Sequence, residues 1–282
     1  MNIKETLFKG TQILKTAKIA SAPLDAELLL LEAINQKNKS YLYAYPEKKF
    51  SGKIVQKYFD LIKERAKHKP IAYILGKKEF YGLCLFIDKN VLIPRPETEI
   101  LVEEALKEAR KIKNPKIIDV GTGSGCIAAS LAKNLPNAKI MATDLYADAL
   151  KVAKKNVKKY NLQNQIKFSR SDLLKNVKGK FDIICANLPY ISNSKMGKLA
   201  KDVKKEPKMA LSGGRNGLDL YKSLLEQSKK VMKKKCMFFF EIDSGQSKKI
   251  ENIIKTFYPK SIINIKKDYS GKNRVAIAKV NL

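Results

Sequence analysis

From residue 94 to the end of the chain, short apolar runs bounded by turn residues alternate with longer segments of helical period, and few folds accommodate that pattern. "KIIDV" (116–120), "KIMATD" (139–144), "IKFSRSD" (166–172), "FDIICANL" (181–188) and "CMFFFEI" (236–242) are strand candidates. Helical segments at 124–134, 147–160 and 217–233 lie between them. Alternating strands and helices build a mostly parallel sheet covered on both faces. "SIINIKKD" (261–268) and "NRVAIAKV" (273–280), joined by Ser270-Gly271-Lys272, read as a hairpin that adds an antiparallel edge. The first 75 residues follow a different rule. "LDAELLLLEAI" (24–34) is apolar all round and follows Pro23, as a core helix would, and 54–68 carries a helical apolar stripe. Between the two regions, 78–93 alternates around a Gly break and predicts two short strands.

Two strand ends carry candidate chemistry. After 116–120, Gly121-Thr122-Gly123-Ser124-Gly125 leads into a helix, which is where open α/β sheets bind ligands. The spacing is neither that of a dinucleotide fingerprint nor that of a P-loop, since the lysine is absent. Asp119 precedes the loop, and Asp144 ends the next strand, where a carboxylate can take both hydroxyls of a ribose. Together these residues suit S-adenosylmethionine. Asp172, ending the third strand, either meets the adenine amino group or caps a helix. Leu173 would pack on the adenine face.

The fourth strand ends in Asn187-Leu188-Pro189-Tyr190, either an ordinary strand exit or a pocket for something flat and uncharged. Should it finish on the same sheet edge as the glycine loop, Asn187 and Tyr190 lie near the methyl of the ligand. A sulfonium methyl is already activated, so positioning carries most of the rate. The Asn187 oxygen and the Leu188 carbonyl can each accept one N–H of a planar nitrogen and draw it toward tetrahedral geometry. Pro189 biases Leu188 to an extended conformation, and Tyr190 offers a ring to the developing positive charge.

Composition excludes several other chemistries. Cys84, Cys126, Cys185 and Cys236 are far apart with no C-x-x-C pair, so four small buried thiols are expected rather than a metal site or disulfides. The one histidine, His68, sits in the basic run "RAKHKP", which leaves little room for a Ser-His or Cys-His mechanism. No apolar run is long enough to span a bilayer and the N-terminus has no signal-peptide core, so a cytoplasmic location is expected. The net charge is +30, which would attract RNA or ribosomes weakly. Only six of the 57 basic residues are arginine, the better phosphate ligand, which favours compositional drift over a dedicated nucleic-acid surface.

The chain resembles the HemK/PrmC family of protein-(glutamine-N5) methyltransferases almost end to end. The likeness is carried by 24–34, "KPIAYILGKKEFYG" (69–82), "VLIPRPETEILVEEAL" (91–106), "DVGTGSG" (119–125), "ANLPYIS" (186–192), "EPKMALSGGRNGLDLY" (206–221) and "KDYSGKNRV" (267–275). It implies a Rossmann-like class I methyltransferase with a mostly parallel seven-stranded sheet and a small N-terminal helical domain. The expected boundaries are 1–75 for a helical substrate-docking domain, 76–93 for a β-hairpin linker and 94–282 for the methyltransferase. Residues 121–125, Asp144, Asp172, Leu173 and Asn187 would hold S-adenosylmethionine, released as S-adenosylhomocysteine. Residues 187–190 would clamp the glutamine of the Gly-Gly-Gln motif of class I peptide chain release factors, with Asn187, Pro189 and Tyr190 catalytic. No metal is implied. Glutamine methylation of a large-subunit ribosomal protein and adenine-N6 methylation of DNA or RNA are the alternatives. Three departures stand out: Leu188 where the family has proline, "KKKC" (233–236) for its Pro-Gly-Gly turn, and Asp243 for a glycine. The last two are expected to lie off the chemistry. Arg95 in "IPRPETE" would either support the cofactor pocket or help hold the substrate loop, and Pro96 and Glu97 suit a helix start.

Overall fold

The computed structural model of the chain describes residues 1–281 and divides into two units. One comprises Met1–Gly76 with Ala200–Lys205, and the other the rest of the described chain. The first is a cluster of helices: α1 (Ile3–Thr16), α2 (Ala22–Ala33), α3 (Ser40–Ala44), α4 (Gly52–Ala66) and α5 (Ile71–Leu75). A capping box starts α1, with the Asn2 side chain accepting from Glu5 N and the Glu5 carboxylate accepting from Asn2 N. Its core joins Leu14, Leu29, Leu30 and Ile62. The apolar α2 nevertheless buries Asp25, paired with Arg65 of α4 at 2.6 Å; the same guanidinium reaches Asp202 at 3.5 Å. That second contact ties residues 200–205 to the helices.

The second unit opens with a hairpin, β1 (Lys77–Phe80) and β2 (Leu83–Phe86). Its two turn residues, Tyr81 and Gly82, both have positive φ (47° and 72°), the backbone a two-residue hairpin turn requires. Then follow α6 (Thr98–Ala109), β3 (Lys116–Val120), α7 (Cys126–Asn134), β4 (Lys139–Asp144), α8 (Ala147–Lys159), β5 (Ile166–Arg170) and β6 (Phe181–Ala186). After these come α9 (Asn193–Met196), α10 (Asp219–Ser228), β7 (Met232–Glu241), α11 (Ser247–Phe257), β8 (Ile262–Lys267) and β9 (Asn273–Asn281). The seven-stranded sheet has the order β5-β4-β3-β6-β7-β9-β8. β3 to β7 run parallel, and β9 pairs antiparallel with both β7 and β8. Strand order reverses beside β3, which opens a crevice between the loops leaving β3 and β6. Val120 lies opposite Thr143 and Ala186, and Ala186 opposite Phe240, so the loops after β3, β4, β6 and β7 leave one edge nearly level.

Three expectations need correction. The helix expected over 217–233 ends at Ser228, and the strand expected to begin at 236 begins at Met232. Met232 pairs with Phe181, and Lys235 onward pairs with β9, so partners distant in sequence impose strand geometry on a lysine run that has no strand pattern of its own. Only Cys185 and Cys236 are buried; Cys84 on the hairpin and Cys126 at the start of α7 are partly exposed. No helix among the described residues is long and apolar enough to cross a membrane.

Gly10 of α1 faces Tyr58 of α4 so closely that an added Cβ would meet the phenolic oxygen at 1.9 Å, while that buried hydroxyl has no hydrogen-bond partner. Gly10→Ala should therefore cost about 1–3 kcal/mol of stability by overpacking. Tyr58→Phe should leave stability at or above wild type, because it removes an unpaired buried hydroxyl. Urea denaturation of the two variants checks both; an alanine tolerated at position 10 would contradict the packing.

Candidate active site

The loop after β3 is built on backbone that glycine adopts readily. Gly121, Gly123 and Gly125 have φ of 72°, 54° and 79°. A Cβ at Gly121 would approach Leu188 Cδ2 at 2.9 Å, so the glycine loop and the turn after β6 are in contact. Gly125 serves packing: a Cβ there would stand 3.1 Å from Ala153 Cβ of α8. Beneath the loop, Asp119 is fully buried. Its Oδ2 accepts from Thr122 Oγ1 at 2.6 Å and from Ala128 N at 3.2 Å, while Oδ1 has no partner. Burial pushes its pKa up to about 7 against the hydrogen bonds that favour the ionised form. Asp144 accepts from Gly123 N and Tyr146 N, each at 2.9 Å, and burial raises its pKa as well.

A cavity of about 320 Å3 opens along this edge. Its wall includes residues 121–124, Asp144, Asp172, Leu173, Asn187, Leu188 and Pro189, which joins most of the residues singled out in the sequence. Gly125 and Tyr190 are not on that wall. No helix follows Asp172, whose carbonyl instead accepts from Lys175 N in a turn, so its helix-cap reading falls away. Leu173 has φ +52°, unusual for a branched side chain, and its side chain is buried at the cavity wall.

Around Asn187 lies a network that sequence reading missed. Asn187 Nδ2 donates to Thr98 Oγ1 at 3.0 Å, and Thr98 Oγ1 donates to Glu241 Oε2 at 2.5 Å. Tyr190 Oη donates to Glu241 Oε1 at 3.1 Å. Burial, then the Glu241 charge, holds the Tyr190 phenol well above its ordinary pKa. Leu188 N donates to Tyr221 Oη at 3.1 Å, so the N–H that leucine adds where a proline would have none is satisfied. Tyr221 in turn donates to the Glu241 carbonyl. The segment carrying Asp243 is nearer the site than expected: Gln246 Nε2 donates to the Tyr190 carbonyl at 3.0 Å, while Asp243 pairs with Lys195. Gly213 and Gly217 pack on the turn so tightly that Cβ atoms would stand 2.4 Å from the Pro189 carbonyl and 2.1 Å from that of Tyr190. Arg95 clamps a loop, bonding to the buried Glu206, which also accepts from Ile93 N at 3.0 Å. Glu97 is the residue before α6, which starts at Thr98. Thr98 sits singly at a helix start and Gln246 in a polar turn; the clearest signal was Glu241, a glutamate closing the apolar run "CMFFFEI".

The chain matches the PrmC N-terminal domain over residues 5–76 and the methyltransferase small domain over 96–242. It is 38% identical to the release factor glutamine methyltransferase of Clostridium botulinum, covering 99% of both chains. It is also 38% identical to that of Clostridium acetobutylicum, over 99% of this chain and 98% of the relative. The chain belongs to the release factor glutamine methyltransferase family. A bifunctional methyltransferase of Rickettsia bellii is 36% identical over 97% of this chain, which spans 54% of that longer protein. Among solved structures, the catalytic domain of human Mettl16 aligns with a TM-score of 0.58 at 21% identity, covering 78% of this chain and 81% of that one. The Thermus thermophilus 16S rRNA methyltransferase RsmC, in complex with AdoMet and guanosine, aligns at 0.54 and 14%, covering 73% of this chain and 50% of that one. These two share the class I methyltransferase fold with it. Among the described residues, no group of three or more His, Cys, Asp or Glu could hold a metal.

Asp119 ionises near 3.8 when unfolded and near 7 when folded, so over that window the folded state binds more protons and its stability falls as pH rises. Asp119→Asn has no such titration. In cofactor-free protein the stability of the variant relative to wild type should therefore rise between pH values of about 4 and 7, read from urea midpoints. A difference that does not change with pH would contradict the assignment.

Proposed function

We propose that this enzyme transfers the methyl group of S-adenosylmethionine to the side-chain amide nitrogen (N5) of the glutamine in the Gly-Gly-Gln motif of class I peptide chain release factors, and so modulates translation termination. The observation that carries the reading is the Asn187 amide on the cavity wall. Its nitrogen is engaged by Thr98, which leaves its oxygen as an acceptor for a substrate N–H. Relatives bearing that activity in their names, aligned over nearly the whole chain, supply the substrate class.

The cavity residues fit S-adenosylmethionine. Asp144 offers a carboxylate for ribose hydroxyls, Asp172 and Leu173 suit the adenine, and the glycine loop has no Cβ at 121 and 123 to obstruct the ligand. Beneath that loop and off the cavity wall, the buried Asp119 leaves Oδ1 as an unpaired acceptor that a water could link to the ligand's amino group. Bound there, the cofactor supplies an electrophilic methyl on a sulfonium. Asn187 Oδ1 and the Leu188 carbonyl each take one N–H of the glutamine amide, and both bonds strengthen as the nitrogen turns tetrahedral; as the N–C bond replaces the S–C bond, one of the two hydrogens is released as a proton to water. Pro189 restricts Leu188 to extended backbone, and Tyr190, anchored on Glu241, stiffens the turn. The N-terminal helices, which expose Phe8, Tyr43 and Tyr45, dock the protein substrate in this reading. The charge of +30 adds weak, salt-sensitive attraction to the ribosome, and the enzyme works in the cytoplasm.

Incubation with S-adenosylmethionine and, separately, a release factor, the same factor with its motif glutamine changed to alanine, a ribosomal protein and DNA tests this reading. Intact mass should show one added methyl on the unaltered factor alone. Label on the ribosomal protein or on DNA, with none on the factor, would replace it with one of those substrates. Asn187→Ala should lower transfer at least about 100-fold while cofactor affinity, measured by calorimetry, changes only a few-fold.

A further inference from the structure

We propose that Glu241 is a positioning residue of the methyl-transfer site, setting the orientation of the Asn187 amide through Thr98. The inference rests on the reading of Asn187 as acceptor for the substrate amide. Glu241 is 1% exposed and closes β7, and since Phe240 pairs with Ala186, it stands beside Asn187 at the sheet edge. An ionised carboxylate only accepts hydrogen bonds. Thr98 and Tyr190 each own one hydroxyl hydrogen, and both direct it at Glu241. Thr98 Oγ1 therefore presents only lone pairs to Asn187, and only the amide nitrogen can sit against it.

A flipped amide would be opposed at both ends. Its oxygen would face the Thr98 lone pairs, and its nitrogen would point donors at the N–H groups of the substrate. Without the carboxylate, the Thr98 hydrogen is free to turn toward Asn187 and hold the amide the wrong way round. Packing alone does not call for a glutamate here. Burial raises its pKa while the Thr98 and Tyr190 hydroxyls favour its charged form, so the carboxylate carries a desolvation cost that an apolar residue at the end of the strand would not. The carboxylate is explained by what it does to two hydroxyls.

Thr98→Val keeps the shape and removes the hydroxyl; Thr98→Ser keeps the hydroxyl. With the release factor as substrate, Thr98→Val should lower kcat roughly 10- to 100-fold, the cost of a misplaced reacting group. KM for the factor and cofactor affinity should stay within about threefold, and Thr98→Ser should recover most of the rate, since the orienting bond is what was lost. Glu241→Met removes the charge at similar volume and should reproduce the kcat loss, again with cofactor binding retained. A merely structural role would instead weaken cofactor binding and stability together with the rate. Wild-type turnover by Thr98→Val or Glu241→Met, or a serine variant as impaired as the valine one, overturns the inference while leaving the substrate reading intact. A wild-type enzyme that cannot methylate the factor overturns both.

Discussion

Strand registration is the constraint on which everything at the site depends. Side chains alternate faces along a strand, so a slip of one residue in β6 would turn its whole pattern over. Val120, Ala186 and Phe240 lie abreast across β3, β6 and β7, so their successors meet at one sheet edge: Gly121 and Asn187 just past the ends of β3 and β6, and Glu241 as the last residue of β7. The register is held by the buried faces of these strands, where Ile118, Ile184 and Phe238 join one core cluster. Core packing thus decides which polar groups meet at the edge.

A second layer of fixation comes from close backbone approach. The turn at 187–190 is gripped by glycines that leave no room for a Cβ: Gly121 from the β3 loop, and Gly213 and Gly217 from the segment before α10. Its backbone is also bonded at both ends, through Leu188 N on Tyr221 and the Tyr190 carbonyl on Gln246. A family proline is missing at 188, yet the leucine is buried and its N–H is paired, so neighbours supply the constraint that a fixed φ would have given. Preorganisation of this kind suits a reaction in which the electrophile is already activated and placement is the remaining difficulty.

The parts legible in the sequence were those whose signal is local. The glycine turn after an apolar strand and the polar exit of β6 each declare themselves within a dozen residues, the β/α alternation is a string of such short signals, and the structure brings most of the turn residues to one cavity. What stayed hidden depends on distant partners. Thr98 and Glu241 are 143 positions apart, and nothing near either one announces the other. Arg95 has its role from Glu206, 111 positions on. The lysines that open β7 become strand because β6 and β9 lie beside them, against their own pattern. Asp172 illustrates the converse: a short-range capping reading was open until the turn that follows it was seen.

The account centres on an amide oxygen held ready for a substrate amide, and a crystal structure of the enzyme with S-adenosylhomocysteine and a Gly-Gly-Gln peptide tests it most directly. It should show the glutamine nitrogen about 2.9 Å from Asn187 Oδ1, with Asn187 Nδ2 still on Thr98 and the adenosine beside Asp144. A glutamine bound away from Asn187, or an amide turned with its nitrogen toward the peptide, would contradict it.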